Sequence, residues 1–365
     1  MKTALVLGAG GFIGSHMVKR LKKDGYWVRG VDLKYPEFSK SEADEFIIGD
    51  LRVSETVANV MFLEGKGVIE IDINALENIK TGYTPKELID MIMDIGVLPY
   101  KEQTTRSKKF DLVFQYAADM GGANYIFTGE HDADVMHNSA LINLNVAYWA
   151  SKYKVGKILY SSSACIYPQQ IQEDPNNSGL KESEAYPANP DSEYGYEKIF
   201  SERLYDSFRR NYGLNIRIVR FHNVFGEEGT IDFLKAKAPA ALCRKVSEVE
   251  EVGFIEVLGD GKQTRSFLYI DEAIEGCIRL MDSEYYKPVN IGSDEIISIN
   301  DLAKMVIQLS GKQLYIKNVE SNAVGVRGRN SDNTLIKEVL GWSPTQPLRT
   351  GMEKLYSWVN KQVNG

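Results

Sequence analysis

The run Gly8-Ala9-Gly10-Gly11-Phe12-Ile13-Gly14 stands between an apolar, strand-like stretch, Thr3–Leu7, and a segment, Phe12–Asp24, in which Ile13, Met17 and Leu21 recur at helical spacing. Strand, glycine turn and helix in that order make a dinucleotide-binding unit. The glycines let the backbone approach a pyrophosphate, and the helix N-terminus offers it free N–H groups and positive dipole character. Gly8, Gly11, Phe12, Ile13 and Gly14 are the expected contacts. A second strand, Tyr26–Val31, ends at Asp32. A carboxylate at that place accepts hydrogen bonds from both ribose hydroxyls and repels a 2′-phosphate, so the expected cofactor is NAD rather than NADP. Asp50 and Leu51 follow a third strand, Phe46–Ile48, where they meet the adenine.

Outward from this unit the alternation continues. Strands are expected at Phe110–Tyr116, Lys157–Ser161 and Asn215–Arg220, with helices over about 133–153 and 193–212. Strands alternating with helices predict an α/β, Rossmann-type, doubly wound parallel sheet covered on both faces. We assign residues 1–221 to an NAD-binding domain and 222–365 mainly to a smaller substrate-binding lobe that can return one strand or helix to the sheet. In that lobe 254–258 and 267–270 read as short strands, and Ser298–Leu309 and Leu348–Gln362 as helices. The chain between the third strand and Phe110 exceeds what a crossover needs. We read an inserted subdomain at about 52–109, with a strand at 68–73 and a helix at Thr84–Ile95.

The chain has 365 residues, 43 Lys and Arg against 50 Asp and Glu, and a net charge of −7, which argues against a nucleic-acid-binding surface. Three scattered cysteines (Cys165, Cys243, Cys277) and four histidines suggest neither a disulfide framework nor a metal centre. No apolar run approaches the roughly 18 residues of a membrane span. The N-terminus lacks the long apolar stretch and cleavage site of a signal peptide, so a cytoplasmic protein is expected.

Tyr194-Gly195-Tyr196-Glu197-Lys198 sets a tyrosine and a lysine four residues apart on one helix face. A phenol of ordinary pKa near 10 exchanges protons at neutral pH when a nearby ammonium and a cationic nicotinamide favour its anion. Lys198 can also hold the nicotinamide ribose. Ser163, two residues past a strand, can hydrogen-bond the reacting hydroxyl. Together with the glycine loop and Asp32, this combination resembles the extended short-chain dehydrogenase/reductase family over nearly the whole chain apart from the insertion. The resemblance implies hydride chemistry by Ser163, Tyr194 and Lys198 on a nucleotide-linked sugar, with Ala117 and Ala118 lining the dinucleotide.

Several reactions of that family begin by oxidising the sugar at C4. A 4,6-dehydratase typically carries Asp-Glu after its Ser or Thr, and here Ser163-Ala164-Cys165-Ile166-Tyr167 lacks it. A 4-epimerase needs no further acid or base. A 3,5-epimerase needs one group to take a proton from one face and another to return it on the opposite face. Four blocks look like the family's 3,5-epimerases of GDP-linked, mannose-like hexoses: Ser162–Pro168, Arg220–Asn223, Lys237–Ala241 and Gly325–Asn333. The resemblance implies that Cys165 and Lys237 form the acid/base pair, Lys235 being the rival lysine. Met120, Gly121 and Gly122, after Asp119, look like its substrate loop. Gln263 and Arg265 resemble its nucleotide-binding strand. Asn223 would meet the sugar or first phosphate, and Arg244, Lys245, Arg265, Arg327 and Arg329 are candidates for the diphosphate. The loop after Gly122, with His131, Asp132 and Asp134, departs from the pattern, as does the insertion; the hexose can differ accordingly. The resemblance also implies a homodimer through the two long helices. Alternatives are an NAD-dependent nucleotide-sugar 4-epimerase and, from another class, a redox-inactive NAD-sensing binding protein.

Overall fold

The computed structural model of the protein describes residues 1–63, 109–177, 179–321 and 325–365. Its strands are β1 (Thr3–Leu7), β2 (Trp27–Asp32), β3 (Glu45–Ile48), β4 (Leu112–Gln115), β5 (Lys157–Ser163), β6 (Ile216–Phe221), β7 (Val224–Phe225), β8 (Val252–Leu258), β9 (Thr264–Ser266), β10 (Leu268–Tyr269), β11 (Val289–Ile291), β12 (Ile296–Ser298), β13 (Gln313–Val319) and β14 (Gly328–Arg329). The helices are α1 (Phe12–Lys23), α2 (Ser54–Met61), α3 (Ala123–Ile126), α4 (Asp132–Lys152), α5 (Glu193–Tyr212), α6 (Ala238–Glu248), α7 (Ile270–Asp282), α8 (Ile299–Ser310), α9 (Thr334–Leu340) and α10 (Leu348–Asn364).

The central sheet runs β11-β6-β5-β4-β1-β2-β3, every pair parallel. Helices cover both faces, so a central strand is buried along its whole length. In β6 even Arg217 and Arg220 are enclosed. Alternate residues serve opposite layers. Ala4 and Val6 join α1 and α7 (Met17, Leu21, Ile274, Cys277) in one core. Leu5 and Leu7 join α2, α4 and α5 (Val57, Val60, Val146, Tyr205) in the other.

The strand order reverses at β1, which has β2 on one side and β4 on the other. That reversal opens a crevice beyond the C-terminal ends of β1 and β4. Gly8 leaves β1 at φ +87°, and a Cβ there would lie 2.7 Å from the Ala117 nitrogen just past β4. The glycine allows both strand ends to close on one point. Beyond β6, α6, α8 and α10 pack with the parallel pair β8–β13, and the small sheet β12-β9-β14 faces the crevice. Between α7 and β12 the chain returns to the central sheet through β11, beside β6.

The strand expected at Phe110–Tyr116 is confined to Leu112–Gln115, and the one at 267–270 to Leu268–Tyr269, because Ile270 already opens α7. At the start of the expected insertion, α2 is an ordinary crossover helix packed on the sheet. The strand expected at 68–73 and the helix at 84–95 lie outside the described residues.

Candidate active site

A cavity of about 1040 Å³ runs from the crevice to the C-terminal lobe. Its cofactor end is lined by Gly8, Gly11, Phe12, Ile13 and Gly14 and by Asp32, Asp50, Leu51, Ala117 and Ala118. Gly11, the N-cap of α1, supplies no side chain to cap the first turn, which leaves its N–H groups for an anion. Asp32 is fixed through both oxygens: Gly10 N–H donates to Oδ2 at 2.9 Å and Leu33 N–H to Oδ1 at 2.7 Å. Burial pushes its carboxyl above the usual range, and the N–H donors work against that. Asp50 is clamped by Arg52 at 2.7 Å, which holds it below the usual carboxylate range. Uncapped N–H groups and a fixed carboxylate at the cavity wall fit a dinucleotide.

Ser163, Tyr194 and Lys198 line the middle of the cavity. Ser192 caps α5 by accepting from Gly195 N–H, which sets Tyr194 in the first turn. Lys198, one turn on, is buried with Nζ 5.5 Å from the Tyr194 ring centre and donates to the Ser161 carbonyl at 3.0 Å. Burial lowers the pKa of its ammonium. Burial raises the Tyr194 phenol, and its hydrogen bond with Ser163 opposes the rise. The acidification expected of Tyr194 joins the Lys198 ammonium, here directed at a carbonyl, with the positive charge of the nicotinamide.

Cys165 sits in the 3₁₀ turn Ala164–Ile166, whose N-cap Ser163 accepts from Cys165 N–H at 3.2 Å. It is half-buried at the cavity wall, whereas Cys243 and Cys277 are buried in the core, the latter thiol pushed up to about 12 by burial. Lys237 is the N-cap of α6, where Pro239 is tolerated in the first turn. A Cβ on Gly122 would lie 2.5 Å from the Ala236 carbonyl oxygen, so the 119–122 loop packs directly on the approach to Lys237. The Lys237 carbonyl accepts from Ala241 N–H at 3.0 Å; burial lowers the pKa of its ammonium, and Cys165 is the group that opposes this. Lys235 is exposed over the Tyr125 ring at 5.1 Å.

At the far end Met120, Gly121, Gly122, Asn223, Lys245, Gln263, Arg265 and Arg329 line the cavity. Asn223 adopts φ +39°, a left-handed conformation that asparagine tolerates, and donates to the Ser266 carbonyl at 3.0 Å. Gln263 Oε1 is buried without a partner among the described residues. Burial lowers the Arg265 guanidinium to about 9, and the neighbouring Arg329 adds to the fall. Arg244 and Arg327 stand off the cavity wall. Arg244 is held by Glu248 at 2.7 Å and the Ile231 carbonyl at 2.9 Å, and Arg327 by Asp260 at 3.0 Å. Arg329, expected at a diphosphate, donates instead to Cys165 Sγ at 3.0 Å. The loop after Gly122 folds around Tyr125, which stacks on His131 at 4.1 Å and donates to Asp119 at 2.9 Å. Asp191 and Gln172, which grip Arg329, are not legible from spacing, since Asp191 stands in a loop and Gln172 closes the short 3₁₀ turn Gln169–Gln172.

No helix among the described residues is long and apolar enough to cross a membrane, and no cluster there could hold a metal.

A reversed-order parallel sheet carrying Tyr-x-x-x-Lys beside its dinucleotide crevice defines an extended short-chain dehydrogenase/reductase. The chain belongs to the NAD dependent epimerase/dehydratase family, whose model matches residues 4–71 and 91–292. It is an enzyme of that family, and its cofactor is NAD. GDP-mannose 3,5-epimerase of Arabidopsis thaliana is 39% identical over 360 residues, 98% of this chain and 82% of the relative. A dTDP-4-dehydro-6-deoxy-D-allose reductase of Streptomyces bikiniensis is 27% identical over 98% of this chain and 96% of the relative. Among solved structures, UDP-glucose 4-epimerase of Thermotoga maritima with UDP-glucose shares the fold at TM-score 0.77 and 23% identity, covering 99% of this chain and 100% of that one.

Proposed function

We propose that this enzyme inverts C3 and C5 of a GDP-linked, mannose-like hexose, with transient oxidation at C4. The observation that carries the proposal is that Cys165 and Lys237 line the same cavity as Ser163, Tyr194 and Lys198. A 4-epimerase has no use for such a pair. The 39% identity to a GDP-mannose 3,5-epimerase points the same way.

In this reading Ser163 hydrogen-bonds the C4 hydroxyl, Tyr194 takes its proton, and Lys198 holds the nicotinamide ribose. NAD, when bound, accepts the C4 hydride and later returns it. The 4-keto group makes the protons on C3 and C5 acidic. One of Cys165 and Lys237 removes a proton from one face, and the other delivers one to the opposite face. Burial suits Lys237 to this by easing loss of its proton. Lys245 and Arg265 neutralise the diphosphate, Asn223 meets the sugar or first phosphate, and Gln263 Oε1 accepts from the nucleotide. Met120, Gly121 and Gly122 border the hexose. Residues 1–221 thus serve NAD, and residues 222–365 mainly the sugar nucleotide.

The proposal includes a homodimer through α4 and α5, whose Leu144, Tyr148, Tyr196 and Phe200 are exposed. Phe200→Asp in light scattering tests it; an unchanged mass overturns it. A cytoplasmic location completes the proposal, to be checked by cell fractionation.

Incubation with GDP-mannose in deuterium oxide tests the reaction. We expect carbon-bound deuterium in an isomerised product, and its loss in Cys165→Ser and Lys237→Met while NADH still forms. Inversion at C4 alone, without deuterium and with both variants active, would establish the 4-epimerase instead. Bound NAD that never becomes NADH with any sugar nucleotide would establish a binding protein.

A further inference from the structure

We infer that Asp191 and Gln172 are positioning residues for proton transfer: they lock the Arg329 guanidinium so that it holds the Cys165 sulfur at the cavity wall. The inference rests on the proposed acid/base part of Cys165.

Arg329, in β14, is buried, and each of its nitrogens has one acceptor. Nε donates to Gln172 Oε1 at 2.6 Å, Nη2 to Asp191 Oδ2 at 2.7 Å, and Nη1 to Cys165 Sγ at 3.0 Å. A planar guanidinium can satisfy three acceptors around its edge, which a lysine ammonium on a flexible stem does not reproduce. Cysteine χ1 has three staggered wells, and a fixed N–H donor favours the one that meets it. Proton transfer to or from carbon is sensitive to such placement at the ångström level.

Gln172 works at both ends of the contact. Its Nε2 donates to the Tyr167 and Pro168 carbonyls at 2.9 and 3.2 Å, directly after the turn that carries Cys165. Asp191 precedes Ser192, the cap of α5, so the same guanidinium is tied to the helix start that carries Tyr194. Neither Asp191 nor Gln172 lines the cavity, although Arg329 and Cys165 do. Any effect of the two on catalysis therefore passes through Arg329 or the turn that carries Cys165 rather than through substrate.

The test uses the NAD-bound, full-length enzyme with GDP-mannose in deuterium oxide, following deuterium uptake into carbon and NADH absorbance separately. Asp191→Asn preserves size and removes the charge. We expect deuterium uptake to fall about tenfold, with KM and the rate of NADH formation within about twofold of the wild type. Uptake unchanged in Asp191→Asn overturns the inference. So does a raised KM with unaltered uptake at saturation, which would make Arg329 a substrate ligand, and so does a parallel fall in NADH formation, which would mean local collapse. Should Asp191→Asn fail to fold and bind NAD, Gln172→Met is read by the same criteria. A wild-type enzyme that takes up no deuterium overturns the epimerase reading itself; wild-type uptake with indifferent variants overturns this inference alone.

Discussion

Gly195 and Cys165 meet backbone to backbone: a Cβ on Gly195 would stand 2.3 Å from the Cys165 carbonyl oxygen. The first turn of α5, which carries Tyr194, therefore rests directly on the turn that carries the thiol. One contact sets the Tyr194 phenol and the Cys165 sulfur, the proposed redox and proton-transfer groups, relative to each other. Gly195→Ala must separate the two turns, since backbone cannot yield as a flexible side chain can. We expect turnover to fall about 100-fold, the scale of an ångström misplacement, while NAD stays bound. Steady-state assays alongside the absorbance of bound NAD check this; turnover within about threefold of the wild type would detach the contact from catalysis.

His222 predicts a pH dependence of stability. It is fully buried, and desolvation, assisted by the charges of Arg329 and Arg220 and opposed by its bond to Asn290, holds it down to about 3 from an ordinary 6.5. Below pH 6.5 the unfolded chain takes up a proton that the native state refuses until about pH 3. Stability from this group is thus whole above 6.5 and is lost as pH falls through that window, by about 1.4 kcal/mol per pH unit at most. Urea midpoints at pH 7.5, 6 and 5 should fall less steeply in His222→Gln than in the wild type. Parallel slopes would mean that His222 is protonated in the native protein.

The cofactor half of this molecule was legible because its signals are local. The glycine loop, Asp32 and Tyr194/Lys198 each sit at fixed offsets from a strand or on one helix face, and they meet in one cavity because the sheet order forces it. Much of the lobe was less legible. The strand β11 is three residues long, too short for a periodic signal. The amphipathic spacing of α7 (Ile270, Ile274, Cys277, Met281) is in the sequence, but the strand expected at 267–270 takes in its first residue, Ile270. Long-range side-chain partnerships are invisible in the sequence: nothing near Arg329 announces Asp191 or Gln172, and nothing near Arg327 announces Asp260.

Glu202 and Arg220 form a bidentate pair at 2.9 and 2.8 Å, each at most 4% exposed, and Ser162 also donates to Glu202. Ser162 adjoins Ser163, so the pair anchors the strand end that delivers the hydroxyl. Removing one partner strands a buried charge, which typically costs about 3–5 kcal/mol. Glu202→Gln should lower stability by that order in urea unfolding at pH 7.5. A loss below about 1 kcal/mol would mean that water reaches Arg220.

In the proposed site Asp32 governs which dinucleotide enters. Its carboxylate is pinned at the cavity wall by the Gly10 and Leu33 N–H groups, so it cannot swing away from a 2′-phosphate. Lys34, whose charge also favours the Asp32 carboxylate, is exposed and directed to Glu37 at 3.7 Å. A serine at this position can still accept from Gly10 N–H and preserve the glycine turn, while removing the charge. Asp32→Ser should weaken NAD binding by the loss of ribose hydrogen bonds and strengthen NADP binding by the loss of repulsion. One close charge contact, about 2–3 kcal/mol in a partly desolvated site, moves the ratio of the two affinities by about 100-fold. Calorimetric titration of cofactor-stripped protein with each dinucleotide measures that ratio, and an unaltered preference would show that discrimination lies elsewhere on the wall.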